Sequence, residues 1–222
     1  VLRYNMIEKG LIVSCQAEPG SAFNNTQSMI AFAKEAERGG AVGLRLREVD
    51  NIEAVSLNSK LPIIGLTKSK YENGDVWITP SWNSAKDVFN VGANYVAMDA
   101  TGRAGYYDVE LASSGGLISI IGDISHISQA EKALKKGCKM LTTALSGYTS
   151  DCNVNMDKPD YKLLEDLVKT YPDVPIMAEG RYWEKDQVKK AFDLGAHNVV
   201  VGTAITRPHL ITKRLTEVYN ER

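Results

Sequence analysis

The chain has 222 residues, 44% of them hydrophobic and 24% charged, the balance of an ordinary globular protein with a core that needs no disulfide or metal to hold it. Lys and Arg number 26 against 27 Asp and Glu, a net charge of −1, so the chain carries no electrostatic footprint for nucleic acid or an anionic membrane. Its three cysteines, Cys15, Cys138 and Cys152, are odd in number and lack C-x-x-C spacing, which argues against a disulfide scaffold and a structural zinc site.

No apolar run reaches the roughly 18 residues of a membrane span, and the first ten residues read as a short leader without a signal-peptide pattern. The expectation is a single cytoplasmic domain over residues 1–222. In chain order, an apolar run at Leu11–Cys15 ends on Gln16, and a helical pattern follows over Ser28–Arg38. The phrase Gly40-Ala-Val-Gly-Leu-Arg45 comes next; its glycine suits a helix C-cap, and its apolar residues suit a strand buried on both faces. A helix over Asn51–Leu57 precedes a third run, Pro62–Thr67, with Lys68 directly after it. A helix over Ser84–Asn90, with Ser84 placed as N-cap, leads to a second glycine-led run, Gly92–Asp99. Thr101–Gly116 should hold another helix, although its pattern is weak.

The alternation continues to the end of the chain. Leu117–Asp123 reads as a strand, Ser128–Lys136 as a helix capped by Ser128, and Gly137–Thr143 as a strand running on into Tyr148. Asp160 caps a helix over Tyr161–Thr170. Pro175–Glu179 is followed by Gly180 and Arg181, then by a helix over Lys185–Leu194. The last run, Gly195–Gly202, leads through Thr203 and Arg207 to a helix over Leu210–Tyr219. The glycine-led phrase thus occurs four times, with four plainer strands between its copies. Strict β/α alternation implies a parallel sheet, and eight strands in evenly paired units predict a (β/α)₈ TIM barrel, with an open doubly wound sheet as the alternative.

In such barrels the chemistry sits at the C-terminal strand ends. Here a charged or amide side chain ends or follows seven of the eight runs: Gln16, Arg45, Lys68, Asp99, Asp123, Glu179 and Arg207. Buried charge is costly, so a ring of both signs points to function more than to stability. Gly180 and Gly202, after the seventh and eighth strands, occupy the recurrent barrel phosphate site, where glycine lets backbone N–H groups approach an anion; Arg181 or Arg207 could add a charged contact. Lys68 and Glu179 end strands on opposite sides of an eight-strand ring. They could therefore remove a proton from one face of a substrate carbon and return one to the other. A plain Lys68–Glu179 salt bridge and a Schiff-base lysine are the other readings. His126, His197 and His209 share no metal-ligand spacing, Cys15 reads as a small core residue, and Trp77 and Trp82 either line the mouth or pack a loop.

The strand ends together resemble the bacterial N-acetylmannosamine-6-phosphate 2-epimerases. The matching phrases run through almost the whole chain: Gly10-Leu-Ile-Val-Ser-Cys-Gln16, Gly39–Arg45, Pro62–Gly65 with Lys68 and Tyr71, Ile78-Thr-Pro80, Met98–Thr101, Asp123-Ile-Ser125, Leu145–Thr149, Ala178–Arg181, and Gly202 with Ala204–Pro208 and Ile211–Arg214. The resemblance implies a TIM barrel that interconverts N-acetyl-D-mannosamine 6-phosphate and N-acetyl-D-glucosamine 6-phosphate, in sialic acid and amino-sugar catabolism, without metal or organic cofactor. By the match, Lys68 and Glu179 are the catalytic pair. Gln16, Arg45, Asp123, Tyr148 and Arg207 hold the sugar; Gly180, Arg181, Gly202 and Thr203 hold the phosphate. It also implies a homodimer. The sequence departs from the family pattern at Gly202-Thr203, where Gly-Gly is common, in the loop Ala17–Asn25, and in a shorter, less basic region after Asp99.

Overall fold

The computed structural model describes residues 6–70 and 76–220. Tyr71 and the first five residues of the leader lie outside that set. Eight parallel strands close into a barrel: β1 (Gly10–Cys15), β2 (Gly43–Arg47), β3 (Ile63–Leu66), β6 (Tyr95–Asp99), β7 (Ser119–Asp123), β8 (Met140–Thr142), β9 (Ile176–Glu179) and β10 (Asn198–Val201). The ring closes where β10 pairs with β1, from Gly10 opposite Asn198 to Val13 opposite Val201. Around it lie α1 (Thr26–Arg38), α2 (Val49–Ser56), α3 (Trp82–Asn90), α4 (Tyr107–Ser114), α5 (Ile127–Lys135), α6 (Tyr161–Thr170) and α7 (Lys185–Asp193). The short α8 (Thr203–Thr206) and the terminal α9 (Pro208–Asn220) follow β10. The helix expected in Thr101–Gly116 is α4.

Alternation along each strand sorts the core into two sets, as the period of two requires. Ile12, Ile64, Ile121, Met177 and Val200 belong to the cluster that fills the barrel, whereas Val13, Ile63, Ile120, Ala178 and Val201 belong to the cluster that faces the helices. The leader has a structural task. Ile7 is buried in the inner cluster. Its carbonyl lies 2.8 Å from His197 Nε2, and Asn198 Nδ2 donates to the carbonyls of Glu8 at 2.8 Å and Gly10 at 3.1 Å. This segment closes the barrel at the N-terminal ends of its strands.

Several local expectations are corrected. Ser81, not Ser84, caps α3, accepting from the Ser84 N–H at 3.2 Å. α5 starts before Ser128; Gln129 Oε1 accepts from the N–H groups of Ser125 at 2.8 Å and His126 at 3.1 Å, so His126 occupies the cap position. The sequence gives no sign of the antiparallel hairpin inserted after β3, formed by β4 (Lys68–Lys70) and β5 (Val76–Ile78). Among the described residues, no helix is long and apolar enough to cross a membrane.

Gly65 fixes how closely the helices approach β3. A Cβ there would lie 2.5 Å from Val88 Cγ1 and 2.8 Å from Ala93 Cβ. We expect Gly65→Ala to cost about 1–3 kcal/mol through overpacking, read as a lower urea midpoint; an unchanged midpoint would show that α3 shifts freely away from the strand.

Candidate active site

The strand phase that buries Ile12, Ile121 and Met177 inside the barrel also turns Ser14, Asp123 and Glu179 inward, one step further toward the C-terminal ends. On β2 the outward residues are Leu44 and Leu46, so Arg45 between them faces in. These side chains line the floor of a cavity of about 420 Å³. Every residue assigned to the site from the sequence borders it: Gln16, Arg45, Lys68, Asp123, Tyr148, Glu179, Gly180, Arg181, Gly202, Thr203 and Arg207. Asp99 does not. It accepts from the Thr101 hydroxyl at 2.6 Å and pairs with Arg103.

Three charges meet at the floor. Arg45 is 2% exposed and Asp123 fully buried, and the guanidinium meets the carboxylate through two contacts, Nη1 to Oδ1 at 3.3 Å and Nη2 to Oδ2 at 2.5 Å. Arg45 Nε lies 3.2 Å from Glu179 Oε1 as an ion pair. The contact lacks hydrogen-bond alignment, so Arg45 Nε remains unsatisfied, as does Glu179 Oε2. The charged heads of Arg45 and Asp123 are thus engaged with each other. Burial pushes Glu179 up to about 7, and the like charge of Asp123 adds to the rise while Arg45 opposes it.

Lys68 does not sit at the tip of a barrel strand, as the sequence suggests. It opens the hairpin, paired in register with Ile78. Glu179 ends β9, and β3 and β9 are separated by four steps in either direction around the ring. Among the described residues Lys68 makes no ion pair, which removes the salt-bridge reading. Burial lowers its pKa to about 8, and the positive field of Arg45 contributes further. The two groups therefore have proton affinities far closer together than free lysine and glutamate.

The opposite wall is built from backbone. Gly180 has a φ of +109° with open space where a Cβ would stand, and Arg181 follows at φ +64°. The Arg181 side chain is turned aside: Nε donates to the Lys158 carbonyl at 2.8 Å and Nη1 to the Ser146 carbonyl at 2.6 Å. Thr203 is not among the residues with positive φ. The N–H groups of Arg181, Thr203 and Ala204 have no acceptor among the described residues. Arg207 reaches the cavity but pairs with Glu18 at 2.8 Å, and His209 lies 3.0 Å from the same carboxylate.

The sequence reading missed Ser14, Leu145, Tyr182 and Trp183, which also line the cavity. Ser14 carried a signal, since it precedes Gln16 by two and shares its face; its hydroxyl accepts from Gln16 Nε2 at 2.9 Å. Trp77 and Trp82 do not border the cavity. Burial pushes the Cys15 thiol up to about 12, as suits a core residue. Among the described residues, no group of three or more His, Cys, Asp or Glu side chains could hold a metal ion.

Residues 29–221 match the family model described as "Putative N-acetylmannosamine-6-phosphate epimerase". Curated relatives named "Putative N-acetylmannosamine-6-phosphate 2-epimerase" include that of Caldanaerobacter subterraneus subsp. tengcongensis, 40% identical with 97% of this chain and 93% of the relative aligned. That of Clostridioides difficile is 37% identical, with 93% and 94% aligned. The solved structure of the N-acetylmannosamine-6-phosphate 2-epimerase from Clostridium perfringens superposes with a TM-score of 0.89 at 34% identity, covering 97% of this chain and 95% of the other.

The floor gives a stability prediction. Arg45→Leu would leave Asp123 and Glu179 buried together without the guanidinium they pair with, at a cost of about 3–5 kcal/mol at pH 8. In the variant both carboxyls have folded-state pKa values above their unfolded ones, so stability is lost at high pH and regained as the pH falls and they take up protons. Urea unfolding at pH 8 and pH 5 measures this, and equal losses at both pH values would argue against it.

Proposed function

The chain belongs to the N-acetylmannosamine-6-phosphate epimerase family, and we propose that it interconverts N-acetyl-D-mannosamine 6-phosphate and N-acetyl-D-glucosamine 6-phosphate by proton transfer at C2 of the open-chain sugar. One of Lys68 and Glu179 removes the C2 proton. The electron pair of the broken C–H bond moves onto the C1 carbonyl oxygen, giving an enolate. The other group then delivers a proton to C2 from the opposite face as the carbonyl reforms. The observation that carries this reading is that Lys68, two residues beyond β3, and Glu179, at the end of the opposing strand β9, border one cavity, both shifted toward neutral pH. No redox change occurs, so no organic cofactor enters the scheme, and no metal is assigned a part.

The phosphate would accept from the free N–H groups of Arg181, Thr203 and Ala204 beside Gly180 and Gly202. Gly180 gives it room and Arg207 supplies charge once Glu18 yields. Gln16 and Tyr148 would meet the sugar directly, whereas Arg45 and Asp123 act through the field they impose on Lys68 and Glu179. A homodimer is part of the proposal; the exposed Leu215, Val218 and Tyr219 of α9 support it.

In deuterated water, the product should carry deuterium at C2. Turnover without label would overturn proton transfer, and borohydride trapping of substrate on Lys68 would favour Schiff-base chemistry instead. Lys68→Ala and Glu179→Gln should each lower kcat at least about 100-fold, the scale of a lost general acid or base. The active pair holds one proton whichever partner carries it, because Glu⁻/LysH⁺ and GluH/Lys⁰ have equal proton counts. We therefore expect a bell-shaped kcat/KM profile with limbs near 7 and 8; a sigmoidal profile would show that only one of the two must be in a set state. Sedimentation velocity should give twice the monomer mass, and a monomer at micromolar concentration would remove the dimer from the proposal.

A further inference from the structure

Thr79 is β-branched, is followed by Pro80, and has a φ of +41°. Each fact alone makes that backbone unusual: a branched side chain at positive φ is a steric outlier, and a residue before proline is pushed toward extended conformations. Such a residue persists only where its surroundings over-determine it, and outliers of this kind gather at functional sites. Thr79 is fully buried, and what determines it is a reciprocal pair of hydrogen bonds. Its N–H donates to the Thr67 carbonyl at 3.0 Å, and its hydroxyl accepts the Thr67 N–H at 3.1 Å.

That pair closes the base of the hairpin one residue before Lys68. The next rung is Lys68 opposite Ile78, and both of these line the cavity. No ion pair among the described residues holds the Lys68 amine, so its direction comes from its backbone. The geometry points to Thr79 as a positioning residue for Lys68: its hydroxyl, held in place by a strained backbone, locks the hairpin base so that the amine stands in the cavity across from Glu179. This inference rests on the reading of Lys68 as a proton-transfer group. An extended conformation at Thr79 would turn the hydroxyl away from the Thr67 N–H, so the strain and the hydrogen bond are one device.

Three variants of the full chain test it. Thr79→Val keeps the shape and removes the acceptor. Thr79→Gly removes the acceptor and relieves the strain, so it supplies the measurement should the valine variant fail to fold. Thr79→Ser keeps the acceptor. Misplacing a reacting group by about an ångström costs on the order of a hundredfold, so kcat of the Val and Gly variants should fall about tenfold to a hundredfold with KM within about twofold. The Lys68 limb of the pH profile should move, and the Ser variant should stay within about threefold of wild type. A Gly variant with wild-type kcat and limb overturns the inference. So does a Ser variant as impaired as the Gly variant, or a loss spread equally over kcat and KM in proportion to a fall in urea midpoint. If the wild type incorporates deuterium and needs Lys68 while the Thr79 variants behave normally, only this inference fails. If the wild type incorporates none, the proton-transfer reading fails and takes the inference with it.

Discussion

The ion cluster of Arg45, Asp123 and Glu179 is the constraint on which the upper half of the barrel depends. A guanidinium taken out of water is expensive, and its return in Coulomb energy requires partners on more than one side. The barrel supplies them because the inward phase of three separate strands places one charged residue each at the same height. Apolar residues of similar volume at these positions would be at least as stable, so the cluster is best understood through what it does to its surroundings. Burial is what narrows the gap between an acid and a base that would otherwise titrate about six units apart; Arg45 adds to the fall at Lys68 and limits the rise at Glu179.

The opposite side of the cavity works by rigidity. The Ser14 carbonyl accepts from Thr206 Oγ1 at 3.1 Å, and a side chain at Gly202 would press on Ser14 Cβ at 3.1 Å. β1 and α8 are therefore docked directly, with glycine between them. Arg181 anchors the next loop by spending its charge on carbonyls of the 146–158 segment, which leaves its backbone to face the cavity. Asp160 takes part in that anchoring: it accepts from the Ser146 hydroxyl at 2.7 Å and caps α6. This side of the cavity is held by the protein's own contacts.

Much of this was legible in the sequence because strands buried on both faces announce themselves as short apolar runs, and because a ring of eight makes the third and seventh strands opposite. The strand ends and the family resemblance together named residues that border one cavity. What was hidden involves side chains choosing partners in space. Arg45 and Asp123 lie 78 positions apart, and no local pattern says that they bond each other before any sugar. The Arg181 guanidinium reads as a charged contact to an anion, yet it bonds the Lys158 and Ser146 carbonyls. The hairpin after β3 escaped because β4 and β5 have three residues each, too short for a period to register, and its base is secured by a threonine in a backbone region that local propensity assigns to glycine.

The ring is closed by its first and last strands, and that seam has a consequence for synthesis. Residues 10–13 pair with residues 198–201, and the leader that stoppers the base bonds His197 and Asn198. A chain emerging from the ribosome can form its β/α units in turn but cannot shut the ring until residues 198–201 have been made. Until then β1 offers an open edge, and the inward charges of β2 and β7 lack the enclosure that makes their pairing worthwhile. Contacts this distant in sequence slow folding and leave edges exposed while it proceeds. The nascent barrel is a curled sheet whose cavity comes into existence only with β10.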